Sequence, residues 1–242
     1  MTDIPTLEQI LTRAVRAPSS HNTQPWLFRP GEDRIELLAD RTRALPANDP
    51  DDRELTISCG CALFNLRVAI AAAHLGCVTA TMPDPDDEDL LARLDLTGPV
   101  DAALAALAPA IEARQTFRAA FDKRPVAPEH VAALTDAATA EGAWFAPLRD
   151  EAARAEAAAL VAQGDAALWQ DPSWRRELSQ WMHPRRKGDG LTLPWLTLPA
   201  ARLVVRSFDM GGGVAAHDAS PRRGLAAAGG AGHRGRHPRA NG

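Results

Sequence analysis

The 242-residue sequence has only three cysteines, an odd number. It therefore carries no disulfide framework, and a reducing cytoplasm is the expected compartment. It lacks an excess of one charge. The formal net charge is -4, which leaves no electrostatic case for a nucleic-acid partner. It also lacks an uninterrupted apolar run of the roughly 18 residues that would suggest a membrane span, so no membrane partner is expected. Met1-Thr2-Asp3-Ile4-Pro5 has neither a basic nor an apolar leader segment, so no secretory signal is expected. What remains is 45% hydrophobic and 24% charged, the balance of a globular protein of one large domain or two small ones.

Local patterns define most elements. Thr6 with Gln9 forms a capping box ahead of a helix to Arg16, with Leu7, Ile10, Leu11 and Ala14 on one face. Trp26–Arg29 and Arg34–Ala39 flank a Pro-Gly-Glu-Asp turn and read as a hairpin. Arg41, Arg43 and Arg53 lie in or beside a polar loop and are expected to be solvated, with a substrate or phosphate contact as the alternative. Glu54–Leu75 is apolar on most sides, as a buried helix should be, with Gly76 expected at its end. Cys77–Thr81 and Leu90–Leu96 read as strands, and Asp84–Asp89 as a solvated acidic loop. Asp101–Ala113 reads as a helix interrupted at Pro109. Cys59, Cys61, His74 and Cys77 do not have the turn-borne spacing of a structural zinc site, so no metal is expected.

Between the first helix and the first strand lies Pro18-Ser19-Ser20-His21-Asn22-Thr23-Gln24-Pro25-Trp26. Its prolines fix the backbone, and its hydroxyls and amides can meet a flat polar ligand. By composition alone it could equally be an ordinary connecting loop. The order Pro-Ser-Ser-x-Asn-x-Gln-Pro-Trp resembles the flavin-contacting loop of the nitroreductase superfamily. The resemblance implies that Pro18, Ser19, Ser20, Asn22 and Gln24 contact the ring of FMN. His21 is a candidate general acid, against the plainer reading of an exposed loop histidine.

A second motif begins at Arg114-Gln115-Thr116-Phe117-Arg118. Two guanidinium forks around a hydroxyl can surround a phosphate, although spacing alone favours an exposed basic turn. The segment resembles the arginine signature that begins nitroreductase domains and holds the FMN phosphate. The implied residues are Arg114, Thr116 and Arg118, with Lys123 or Arg124 sharing the role. Phe117 departs from the short form of that signature.

Pro128–Gly142 reads as a helix and Ala143–Ala146 as a strand, which repeats the opening helix–loop–strand order. Asp150–Trp169 and Pro172–Trp181 read as further helices. Trp174, Trp181, Met182 and Trp195 could cover a flavin, or simply pack in the core. The arrangement is similar to Acg-type nitroreductase-like flavoproteins, in which two degenerate copies form an intramolecular pseudo-dimer. The implied fold is α+β, a nitroreductase-like sandwich. Residues 1-113 form the first copy, residues 114-210 a partial second copy, and residues 211-242 a disordered tail.

Arg202–Met210 reads as helix. Thereafter the last 32 residues hold nine of the chain's 17 glycines and one acid, too few apolar groups for a core. Relatives of the implied architecture continue past this point. The tail therefore reads as a truncated or out-of-frame end of a GC-rich gene; resequencing tests this. The implied function is an FMN-dependent oxidoreductase passing electrons from NAD(P)H to a nitroaromatic or quinone-like small-molecule acceptor. The alternatives are a protein that sequesters FMN without turnover and a non-functional remnant.

Overall fold

A computed structural model describes residues 6–207 apart from 118, 120, 123, 185 and 186. Helix α1 (Leu7–Ala14) starts with the expected reciprocal cap. The Gln9 N–H donates to Thr6 Oγ1 at 3.3 Å, and the Thr6 N–H donates to Gln9 Oε1 at 2.8 Å. Ile10 and Ala14 turn inward, while Leu7 stays exposed.

Strands β1 (Trp26–Pro30) and β2 (Arg34–Ala39) form the expected antiparallel hairpin, Trp26 opposite Ala39 and Pro30 opposite Ile35. Strand β4 (Leu90–Asp95) pairs antiparallel with β2, and β3 (Val78–Thr81) pairs antiparallel with β4. The sheet order is β1-β2-β4-β3. Pro30 sits on an edge strand, where its missing N–H is tolerated.

Strand alternation sets the two faces. Ile35, Leu37, Ala92 and Leu94 pack against Ala62, Leu66, Ala69 and Ile70 of helix α2 (Arg53–Ala72). Glu36 points the other way and is nearly covered by Arg29, Arg34 and Arg93, at 3.3, 3.9 and 3.3 Å. By length and composition α2 could cross a membrane; here it lies under the sheet as the core helix.

The end of α2 differs from expectation. The left-handed residue is His74 (φ 59°), not Gly76. Gly76 answers a different need: a Cβ there would lie 2.1 Å from the Gly98 carbonyl oxygen. The chain then forms two short helices, α3 (Ala102–Ala105) and α4 (Ala108–Ala113), broken by Pro109 in the first turn of α4.

The second half holds α5 (Pro128–Ala140), α6 (Glu151–Gln170), α7 (Pro172–Gln180), β5 (Met182–Pro184), β6 (Leu191–Leu193) and α8 (Leu198–Ser207). Helix α8 begins four residues before the expected Arg202. Strands β5 and β6 form a parallel pair. The strand expected at Ala143–Ala146 is not formed: the segment is coil, and Trp144 is 84% exposed. An apolar stretch becomes a strand only where a neighbour takes its backbone hydrogen bonds, and no described strand lies beside it. Helices α5 and α6 bury none of their residues. The described residues of the second half therefore do not repeat the first hairpin. The tail expected from 211 lies outside the described residues.

Helix α7 is one link between the halves. Trp174 is buried and donates from Nε1 to Asn48 Oδ1 at 2.9 Å. The buried Glu177 carboxylate accepts the N–H groups of Ala47 and Asn48 at 2.9 and 3.0 Å. Trp174 is thus a core anchor rather than a cover over a ligand, and Trp195 is 71% exposed.

Candidate functional site

The loop after α1 is held in an unusual backbone form. His21, Asn22 and Gln24 have φ of 47°, 55° and 56°. Left-handed non-glycine residues persist only where neighbours enforce them. The Asn22 N–H donates to Ser19 O and the Gln24 N–H to Ser19 Oγ, both at 2.9 Å. Arg43 Nη1 donates to Thr23 O at 2.7 Å. Cys59 Sγ of α2 donates to Pro25 O at 3.1 Å. Burial pushes the Cys59 thiol up to about 12, so it keeps the proton that this contact needs.

These restraints present Pro18, Ser19, Asn22 and Gln24 to a cleft of about 640 Å³. Arg16, Arg114 and Thr116 line the same cleft. Two motifs some ninety residues apart in sequence thus share one cavity, within the usual size range of ligand sites. Arg114 Nη2 donates to the Arg16 carbonyl at 3.2 Å, and the rest of its fork makes no other hydrogen bond among the described residues. Arg118 and Lys123 lie outside the described residues.

Ser20 does not line the cleft. Its hydroxyl donates to Glu54 and its N–H to Ser58 Oγ at 3.3 Å, both on α2. Nor is His21 an exposed loop residue: its Nδ1 is buried without a partner. Burial lowers its pKa, against the opposing pull of Glu54, which favours the neutral ring. The cysteines and His74 form no metal cluster among the described residues.

The fourth wall was not legible in the sequence. Gly188, Gly190, Leu191 and Thr192 form a strap along the cleft. Gln24 Nε2 donates to Gly188 O at 3.0 Å, and Asn22 Nδ2 to Gly190 O at 3.3 Å. The Gly190 N–H returns to Asn22 O at 3.0 Å. Between these glycines, Asp189 accepts from His183 Nδ1 at 2.8 Å and pairs with Arg43 at 3.0 Å. The only sequence signal was the Gly-Asp-Gly spacing. Arg43 is therefore not solvated but ties the strap to the loop. Arg41 is engaged too, by Asp52 and by Asp89 at 2.6 Å.

Burial alone would raise the Asp189 carboxyl. Hydrogen bonds from His183 and Arg43, with Lys187 nearby, outweigh burial and hold it below the usual carboxylate range. A lowered folded pKa means the tether contributes fully above the unfolded value and is lost as pH falls through the folded one. Loss of the tether is expected as an acid step below about pH 4 in the NMR signal of the Trp181 indole N–H. The Asp189→Asn variant should lack that acid step; an unaltered step would assign it elsewhere.

No protein-family model matches the chain. It is 40% identical over 180 residues, 74% of its length, to "Putative NAD(P)H nitroreductase Rv3131" of Mycobacterium tuberculosis, and covers 52% of that protein. It is 31% identical over 193 residues to "Putative NAD(P)H nitroreductase acg" of the same organism, 78% of this chain and 57% of the relative. A third relative there, "Uncharacterized protein Rv3127", is 32% identical over 206 residues, 82% of this chain and 59% of the relative. The chain thus spans about half the length of the curated relatives it matches. By these matches the chain belongs to the nitroreductase superfamily.

Proposed function

We propose that the cleft holds FMN and that the chain is the binding part of an oxidoreductase of the nitroreductase type. The observation that carries the reading is the convergence of Pro18, Ser19, Asn22 and Gln24 with Arg114 and Thr116 on one cavity. Its donor set fits the group. Arg114 and Thr116 offer a guanidinium fork and a hydroxyl suited to a phosphate. The Ser19 hydroxyl proton, with the amide oxygens of Asn22 and Gln24, suits the polar edge of a flat heterocycle.

When bound, the flavin would supply hydride acceptance from NAD(P)H and electron delivery to a nitroaromatic or quinone-like acceptor. The chain's own residues bind and orient. Arg43 and Cys59 fix the loop carbonyls of Thr23 and Pro25, and so aim Ser19, Asn22 and Gln24. Neutral His21 has no proton relay among the described residues. The proposal includes residues 1-113 as a first copy and 114-210 as a partial second one, which lacks the first copy's hairpin among the described residues, and a cytoplasmic location.

A second reading, sequestration of FMN without turnover, is favoured by one observation. The strap lies against the loop, and Asn22 and Gln24 spend amide donors on it. A covered ring would exclude a nicotinamide. An absorption spectrum of the full chain reconstituted with FMN, followed by anaerobic NADPH and NADH, separates the readings. Bleaching of the flavin band supports the reductase. A stable band supports sequestration. No band overturns both.

Arg114→Gln is expected to weaken FMN binding roughly 10- to 100-fold, the loss of one or two charge-assisted hydrogen bonds. Its melting temperature should stay unchanged, because the side chain is exposed. An unaltered dissociation constant, read by flavin fluorescence, would remove Arg114 from the phosphate site.

A further inference from the structure

Between α7, β5 and the loop before α2 lies another cavity, of about 450 Å³. Thr42 and Ala47 come from the loop before α2, Arg176 from α7, and Trp181, His183 and Lys187 from the segment that follows. None of its lining residues lines the flavin cleft, although His183 also steadies the strap through Asp189.

His183 lines it and is backed by Asp189, which lies behind the wall. His183 and Asp189 are only 6% and 7% exposed. The 2.8 Å contact aims the His183 Nδ1–H at Asp189 and so fixes the plane of the ring. Lys187 Nζ lies 3.4 Å from Nε2 on the other side of that ring. A surface lysine is ordinarily free to wander; this one lies against a buried ring held by Asp189. The ammonium has three donors, and at least two of them face away from His183.

The other cation is similarly placed. Arg176 Nη2 donates to Ser173 Oγ at 3.0 Å, a neutral partner. The acids nearby are already engaged. Glu177, which also lines the cavity, accepts the Ala47 and Asn48 N–H groups. Asp189 is matched by Arg43. Trp181 also lines the cavity, its ring 5.5 Å from the His183 ring. Two cations without an ion pair among the described residues, beside an indole, suit a phosphate joined to a flat or sugar-like body.

We propose that this cavity binds the phosphate group of a nucleotide-like phosphomonoester, gripped by Lys187 and Arg176 against Trp181. His183 and Asp189 are positioning residues: they fix Lys187 and do not touch the ligand. The assignment stands whether or not the other cleft holds flavin.

The test is a titration of the full chain with inorganic phosphate and, separately, with AMP. It is followed by NMR on the Trp181 indole N–H, assigned with Trp181→Phe. Saturable shifts are expected. Lys187→Gln and Arg176→Gln should each weaken binding about tenfold, the loss of a charge-assisted contact. Both residues are exposed, so folding is not at risk. Arg114→Gln should leave the affinity unchanged, which separates this cavity from a phosphate position in the flavin cleft. AMP binding tighter than phosphate supports the nucleotide-like ligand; equal affinities overturn that part and leave a site for free phosphate. No saturable shift, or binding lost in Arg114→Gln but kept in Lys187→Gln, overturns the proposal.

Discussion

Leu66→Ala is expected to lower the free energy of unfolding by about 3–5 kcal/mol, against a total of about 5–15 kcal/mol for a typical domain. Leu66 sits mid-way along α2 with no exposed surface. It is packed among sheet residues that are themselves closed off, including Leu37 and Leu94. Truncation removes transfer energy and leaves a cavity that a helix locked between α1 and the sheet cannot readily collapse. Ile57, on the same helix, is 57% exposed, and Ile57→Ala should change stability by only about 0.5 kcal/mol. Urea unfolding of the two variants makes the comparison. Equal losses would mean that α2 does not bury the face assigned to it. The consequence reaches the cleft, because Glu54, Ser58 and Cys59 on α2 all bond the loop that begins at Pro18.

The first half of the chain was legible for a local reason. The cap at Thr6, the turn at Pro30-Gly31 and the apolar length of α2 are written in neighbouring residues, and each came out as expected. Where the reading failed, the deciding partner was distant. Trp144 and Phe145 have strand-like composition, but a strand also needs a ladder neighbour. Gly76 has the right spacing to end a helix, yet its lack of a side chain serves the backbone at Gly98. Arg43 looked solvated because Asp189 lies 146 residues away.

The cleft divides in the same way. Ordered motifs exposed Ser19, Asn22, Gln24, Arg114 and Thr116, and the fold brings them to one cavity. Motif order could not show that Ser20 faces Glu54 instead, since that depends on how the loop sits over α2. Nor could it show the strap. Glycines in a Pro- and Gly-broken stretch look like any loop until the packed neighbour is seen.

Gly190→Ala is expected to disable the cleft with little effect on the core. Gly190 has φ +73°, and a Cβ there would lie 2.3 Å from Trp181 O and 2.6 Å from His183 Nδ1. The first obstacle is a backbone carbonyl that already accepts the Leu191 N–H at 2.7 Å, so no side-chain rotation relieves it. The strap must move, and it loses both bonds between Asn22 and Gly190. On the proposed reading, FMN affinity should fall roughly 10- to 100-fold, as for the loss of one or two buried hydrogen bonds. Gly188→Ala separates sterics from backbone preference. Its φ is +80°, but nothing lies within 4 Å of the added carbon, so only the left-handed cost of about 1 kcal/mol applies. Flavin fluorescence titration and thermal melting of both variants give the answer. A large loss in Gly190→Ala alone makes the close passage over His183 a requirement of the site. Equal small losses would mean that the strap can drift without cost, and that the loop holds its left-handed form through Arg43 and Cys59 alone.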